Sequence, residues 1–472
     1  MDSKELLRLV NLLQQESAAR AADKAELSRI ISTLNATIGR LNETIGNLLE
    51  ENRLLKNPKK NSRNSSIPPS KDENRPKKTN SLRQSSGKRP GGQSGHEGST
   101  LKMTSLPDVI IEHRPLFCNC CGLALDVGDA QLIGRRQVID IPPIKPVYTE
   151  HRQYRSLCPC GHQATGTFPS GVNAPVSYGN HVEALIAYLH TRQYIPFART
   201  SEFFASVCNM PISQGAVCAI LRRFSVKAEP AYQLIKEAIK ESKVIGADET
   251  GMNENGRLGW FWAWQSKVAT FISYSATRGS AAIHANFPDG FPDAVLVHDC
   301  WKSHLNTPAL GHQLCVAHLL RELLFFEQKY SSGWGSDFKK MLYRALELKK
   351  TIPMDAYGAT ITERAALEAK LQQLLEETIP DKHVEVTTFQ KRIIKYRQHL
   401  LTFLYHPEVP PDNNASERAI RNVKVKQKVS GLFKSARGAQ IYATIRSITD
   451  TCIKNGKSTL DAFLTIAKLQ PE

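Results

Sequence analysis

No run of apolar residues in this 472-residue chain approaches the roughly 18 needed to cross a membrane. The opening MDSKELL also lacks the basic flank and apolar core of a secretory leader, so a cytoplasmic protein is expected. Cysteine is scarce: ten residues are too few for a secreted disulfide framework in a chain this long. Five of the ten fall between Cys118 and Cys160, a clustering that points to metal binding in a reducing compartment. Acidic residues are in deficit, 45 against 62 Lys and Arg, which leaves a net charge of +17 and a pI near 9.4. Such an excess points to a polyanionic partner, and nucleic acid fits better than a membrane surface. The length excludes a disulfide-stapled mini-protein and suits about three domains of ~150 residues.

What is present begins with a heptad repeat. With Leu27 at position d, the d series continues Leu34, Leu41, Leu48 and Leu55, while position a carries Ile31, Ile38, Ile45 and Asn52. β-Branched residues at a with Leu at d favour a parallel two-stranded coil, and a buried Asn at a fixes register. Residues 1–56 are therefore expected to be a leucine-zipper coiled coil that makes the protein a homodimer. From 57 to 106 the composition changes to Asn, Ser, Pro, Gly, Lys and Arg; residues 57–102 hold eleven basic side chains against three acids. This stretch reads as a basic disordered linker that contacts phosphates without sequence preference.

Residues 107–172 read as a small β module, with VIIEH, RRQVIDI and VYTEHRQYR as its extended pieces, and hold the cysteine cluster. Residues 173–240 turn helical and carry Arg192, Arg199, Arg222 and Arg223, a helix-turn-helix-like arrangement suited to DNA. Strands return in KVIGADET, GWFWAWQS and TFISYS, followed by a helix at SAAIHANF and a buried strand at DAVLVHD. Three strands, a helix and a fourth strand, with Asp248 and Asp299 ending the first and fourth, is the order of a ribonuclease H-like fold. That core is assigned to 241–303 and resumes at 410–456, interrupted by an all-helical insertion at 304–409; a C-terminal helix occupies 457–472. The expected fold class is multidomain α+β.

Acids at the ends of buried strands suit hard cations, and phosphoryl transfer on DNA needs two such ions to hold the attacking and leaving oxygens in line. Glu417 is the candidate third ligand. Its spacing from Asn414 also fits a capping box, and its spacing from Arg421 a surface ion pair. Yet residues 417–437 hold seven basic side chains (Arg418, Arg421, Lys424, Lys426, Lys428, Lys434 and Arg437) against that one acid, a stripe suited to DNA phosphates.

In NSSIPPSKDEN, KRPGGQSGHEG, ADET, VLVHD, CVAHLLREL and above all NNASERAIRNVKVKQKVSGLFKSARGA, the chain resembles the insertion sequence 66 family of transposases. The resemblance implies a catalytic Asp-Asp-Glu triad, which by motif falls on Asp248, Asp299 and Glu417. It also implies recognition of the element's terminal inverted repeats, a nucleoid-associated bacterial setting, and small accessory proteins of the same element as partners. The expected activity is cleavage of the element ends with two Mg²⁺ ions and joining of the 3′-hydroxyls to target DNA. A non-catalytic dimeric DNA-binding regulator derived from a transposase is the alternative.

The cysteine module departs from the family's paired CxxC pattern, reading CNCC and then CPCGH. Cys118, Cys121, Cys158 and Cys160 are the candidate ligands of one structural Zn²⁺, with Cys120 or His162 able to supply the fourth position instead. Cys300, His304, Cys315 and His318 have zinc-ligand chemistry but sit in apolar runs that read as core. Trp260, Trp262, Trp264 and Trp301 read as core and site rim.

Overall fold

The computed structural model of the chain describes residues 3–56, 60–61, 64–65, 95, 101–126, 128, 130–172, 174–357 and 361–470. Most of the basic linker expected at 57–106 lies outside them. The chain divides into two compact units, one comprising Met1–Pro76, Asn173–Pro196 and Cys218–Glu472, the other Lys77–Val172 and Phe197–Val217.

The first unit opens with α1 (Ser3–Lys56), a single helix built from Leu, Ala, Glu and Arg and free of proline. Leu27, Ile31, Leu34, Ile38, Leu41, Ile45 and Leu48 all remain more than half exposed, so an apolar stripe runs along it. The unit resumes with α2 (Asn180–Thr191). The second unit holds the two-stranded antiparallel pair β1 (Arg155–Leu157) and β2 (Gln163–Thr165), then α3 (Phe197–Val207). α4 (Gln214–Lys227) runs from the second unit into the first, followed by α5 (Glu229–Lys240).

The β module is thinner than expected. VIIEH and RRQVIDI form no strand, and only the tail of VYTEHRQYR does. Ile110, Ile111 and Val138 are each more than 70% exposed, so these segments have strand-like composition with no edge to pair against.

The five-stranded sheet of the first unit has the order β5-β4-β3-β6-β7: β3 (Val244–Glu254), β4 (Arg257–Gln265), β5 (Thr270–Ser275), β6 (Phe291–His298) and β7 (Ala309–Leu314). The first three pair antiparallel; β3 with β6 and β6 with β7 pair parallel. Asn255 and Gly256, both at positive φ, make the tight turn between β3 and β4. Between β5 and β6 lies α6 (Ser280–Asn286), and between β6 and β7 the short α7 (Lys302–Leu305).

β7 corrects the sequence reading, which placed 304–409 in an all-helical insertion. Its apolar signal is broken by Gly311, His312 and Gln313. Gln313 is buried because its amide donates to the Leu400 carbonyl at 3.0 Å and accepts from the Phe403 N–H at 2.8 Å. The helical part of the insertion is α8 (Val316–Tyr330), α9 (Gly333–Thr351), α10 (Thr362–Glu376) and α11 (Val384–Tyr396), closed around Leu319, Leu323, Phe338, Leu374 and Phe389. α1 packs against α8, and beyond its end the Lys60 ammonium lies 5.0 Å from the Phe325 ring centre while the Asn64 amide, 1% exposed, donates to Gln328 Oε1 at 2.8 Å.

α12 (Asn414–Ser430) and α13 (Ala436–Lys454) cover one face of the sheet, packing Ala419, Ile420, Val423 and Tyr442 on Met252, Phe261 and Ala263. α14 (Thr459–Ala467) closes against α2.

Candidate active site

Register brings the two aspartates together. Val244 lies opposite Val295 and Gly246 opposite Val297 in the parallel β3–β6 pair. The same offset carried two residues further sets Asp248 beside Asp299, just past the end of β6. Asp248 is therefore not at the end of its own strand, since β3 continues to Glu254 against β4. It stands where its parallel neighbour stops, which opens a crevice at the same point.

The Glu417 helix is seated directly on this strand. A Cβ at Gly246 would collide with Ser416 Oγ and stand 2.9 Å from Asn413 Oδ1, so only glycine lets the start of α12 approach so closely. The Asn413 amide donates to the Ala247 carbonyl at 2.7 Å. Glu417 lies one helical turn further on. Its carboxylate accepts from Arg421 at 3.1 Å through Oε2, which realises the ion pair expected from spacing.

α8 reaches the same place from the insertion. Its first turn is tied down by the Cys315 N–H to the His298 carbonyl at 2.8 Å and the Val316 N–H to the Pro411 carbonyl at 2.9 Å. Cys315 Sγ accepts from the Asn413 N–H at 3.2 Å. One turn on, His318 Nε2 and Arg321 Nη1 each stand 3.9 Å from Glu417 Oε1.

Charge is concentrated here. Burial pushes the Asp248 carboxyl well above the usual carboxylate range, and the charges of Glu249, Asp299 and Glu417 push it the same way. The Asp248 carboxylate accepts from the Glu249 N–H at 2.9 Å, which favours its charged form. Burial and the neighbouring Arg321 hold His318 below its ordinary value, while Glu417 and Asp299 pull it up. Glu249 behaves differently: burial raises its carboxyl, but His304 at 3.0 Å and Arg278 outweigh that and hold it low.

Arg278 in turn lies between the rings of Trp260 and Trp301, 4.9 and 4.3 Å from their centres. Trp262 and Trp264 are fully buried core, as expected. The Cys315 thiol is buried and the half-buried Cys300 packs against the apolar core of the insertion; desolvation pushes them up to about 11 and about 12.

Among the described residues no three His, Cys, Asp or Glu side chains converge tightly enough to hold a metal ion. The acids share a crevice without forming a coordination shell. Their chemistry still suits a hard divalent cation, because the donors are carboxylate oxygens and Glu417 Oε1 is buried without a hydrogen-bond partner among the described residues.

The cysteine turns resemble each other. Gly122 and Gly161 take positive φ, the Cys118 N–H bonds the Leu123 carbonyl, and the Cys158 N–H bonds the His162 carbonyl, both at 2.8 Å. The second turn is one residue shorter, as CPC against CNCC requires. N–H groups of Cys121 and Cys120 lower the Cys118 thiol, and the Cys158 thiol with the His162 N–H lowers that of Cys160. Each turn thus pairs two thiols, but the structure does not bring the two pairs into one site.

Of the basic stripe, Arg418, Arg421, Lys428, Lys434 and Arg437 are exposed, as are Arg192, Arg199, Arg222 and Arg223. Lys424 is half-buried and bonds the Gly251 carbonyl. Lys426 is a correction: it is 3% exposed with its ammonium 3.1 Å from His190 Nδ1, so it faces the core and not a phosphate. Arg321 was not singled out from the sequence; the available signal was an arginine three residues after His318 in the apolar run CVAHLLREL.

Residues 175–441, more than half the chain and spanning all three acids, match the family model described as Transposase IS66 family. The chain belongs to this family. Residues 14–102 match a second model, a family of unknown function (DUF6444). Among curated proteins the chain is 22% identical over 324 residues to the uncharacterized protein y4qI of Sinorhizobium fredii, an alignment covering 61% of this chain and 59% of that relative. The chain thus spans under two thirds of that relative's length. No helix among the described residues is long and apolar enough to cross a membrane.

Proposed function

We propose that this transposase binds the terminal inverted repeats of its insertion sequence, hydrolyses the phosphodiester at each element end, and joins the freed 3′-hydroxyls to target DNA. Asp248 and Asp299 would hold Mg²⁺ with Glu417 completing the set; such ions, when bound, align the attacking and leaving oxygens and offset developing charge. The observation that carries the reading is the β3–β6 register beside Asp248 and Asp299 together with the Asn413–Ala247 bond, which seats the start of the Glu417 helix on the same strand. The sheet order 5-4-3-6-7, with three antiparallel strands followed by two parallel ones, supports a ribonuclease H-like core.

Arg418, Arg421, Lys428, Lys434 and Arg437 would hold phosphates flanking the cut, giving a steep salt dependence. The unburied Leu and Ile stripe of α1 supports a parallel homodimer. The two thiol pairs support one structural Zn²⁺ held by Cys118, Cys121, Cys158 and Cys160.

The test uses the purified chain, Mg²⁺ and DNA carrying the true element ends. Asp248→Ala, Asp299→Ala and Glu417→Ala should each lower cleavage by several orders of magnitude and leave DNA binding intact. If Glu417 merely stabilises a helix start, Glu417→Ala loses roughly 1 kcal/mol of stability and cleaves at near wild-type rate, which refutes the triad. A wild type that binds the ends without nicking them favours the non-catalytic regulator.

A further inference from the structure

We propose that Arg321 is a catalytic residue of this site, its guanidinium binding a non-bridging oxygen of the phosphodiester being cut; the inference rests on the cleavage reading above. Arg321 comes from the insertion, a different element from those that carry the acids. Its helix is nevertheless fixed to both of theirs, through His298 beside Asp299 and through Pro411 and Asn413 before Glu417. The position of the guanidinium is therefore set by the same bonds that assemble the acids.

That guanidinium is uncommitted. Among the described residues it makes no hydrogen bond, and its ion-pair neighbour, Glu417 Oε1, is at 3.9 Å, outside hydrogen-bond reach. Glu417 does not need it for neutralisation, because Arg421 already donates to the other carboxylate oxygen at 3.1 Å. The Arg321 side chain is 31% exposed, whereas Glu417 is 16% exposed, so the fork lies at the mouth of the crevice where a strand would enter.

His318 Nε2 stands at the same 3.9 Å from Glu417 Oε1, giving a second donor directed at the same place. Three acids alone would repel a phosphodiester. An arginine whose donors are unspent can present N–H groups of a rigid, planar fork to a phosphate oxygen, as the point-like ammonium of a lysine does not.

In hydrolysis the water oxygen bonds to phosphorus, the P–O3′ bond breaks, and the 3′-oxygen leaves with a proton that the water supplies through solvent. Arg321 takes no part in that proton balance. It acts on the charge that builds on the non-bridging oxygens as the bonds exchange.

The experiment compares the full-length wild type with Arg321→Ala and Arg321→Lys on element-end DNA in Mg²⁺. One substrate carries an ordinary scissile phosphate, the other a methylphosphonate there, in which one non-bridging oxygen is replaced by a methyl group. On ordinary DNA Arg321→Ala should cleave ~10²–10³-fold more slowly, a loss far larger than the drop in end affinity and the reduction of about one in salt slope that follow from losing a single phosphate contact. Arg321→Lys should fall between the two. On one methylphosphonate stereoisomer the wild-type advantage should shrink to a few-fold, because the contacted oxygen is gone. An advantage equally large on both stereoisomers and on phosphate, or an Arg321→Ala enzyme as fast as wild type, overturns the inference while leaving the triad standing. Should Arg321→Ala fail to fold, Arg321→Lys on the same substrates decides by the same ratio. A wild type that does not cleave overturns the cleavage reading and this inference with it.

Discussion

The Asn413 side chain donates to the carbonyl of Ala247, so the turn that starts the Glu417 helix is bonded to the residue immediately before Asp248. Two acids separated by 169 positions in the sequence are thereby set on opposite ends of one short connection. Gly246 leaves the space in which that connection is made.

We expect Gly246→Ala to push α12 off the strand. The added methyl would meet Ser416, Asn413 and the Gln265 amide together, and overpacking of this kind costs roughly 1–3 kcal/mol. Because the displaced element carries Glu417, cleavage should fall much further than stability. Chemical denaturation alongside the end-cleavage assay checks this; equal, small losses in both would show that α12 tolerates the shift.

Asp248 supplies a pH signature. Its folded carboxyl titrates above the unfolded one, so the native state binds the more protons in the window between the usual carboxylate range and the raised folded value. Stability from this group is present at low pH and is lost as pH rises through that window. In chelator-treated protein, Asp248→Asn should therefore match wild type near pH 4 and melt at higher temperature by pH 7. Added Mg²⁺ should narrow the gap by stabilising the wild type alone. A gap that is constant with pH would mean that Asp248 is not electrostatically strained.

For the cysteine turns, elemental analysis should find one zinc per chain and none in a Cys118→Ser, Cys158→Ser double variant. Hydrogen bonds to the Cys118 and Cys160 thiols favour the thiolate, the form that binds metal. Full zinc retention in the double variant would move the metal elsewhere.

The helices and the three long strands of the sheet were legible because their apolar residues recur at three-to-four or alternate spacing, and the two aspartates stood out as candidates because each follows a buried run. β7 was not legible, since Gln313 is buried on the strength of main-chain partners that lie some ninety residues away. The same limit hid the buried His298, whose ring lies 3.0 Å from His312. It also hid Arg321, which matters only because of where α8 is tied. Lys426 failed in the opposite direction: one helical stripe of cations looked uniform in sequence, but its members differ in burial once α2 and α13 pack beside α12.

Lys426 gives the last test. Burial lowers its ammonium to about 7, and the neighbouring His190 is held well below its ordinary value by burial and by Lys426 itself. In the unfolded chain a lysine keeps its proton to about 10.4. Between roughly pH 7 and pH 10 the unfolded state therefore binds the more protons, and stability should rise with pH by up to about 1.4 kcal/mol per unit from this group. Below pH 7 both states are protonated and the burial penalty is constant. Lys426→Met keeps the length of the side chain and removes the charge, so it should be more stable than wild type at pH 6 and lose that advantage towards pH 10. Its affinity for DNA should be unchanged, whereas Arg421→Met, at an exposed position on the same helix, should weaken binding and reduce the salt slope by about one. A Lys426→Met protein that binds DNA as weakly as Arg421→Met, with no change in the pH profile of stability, would return Lys426 to the phosphate-contacting face.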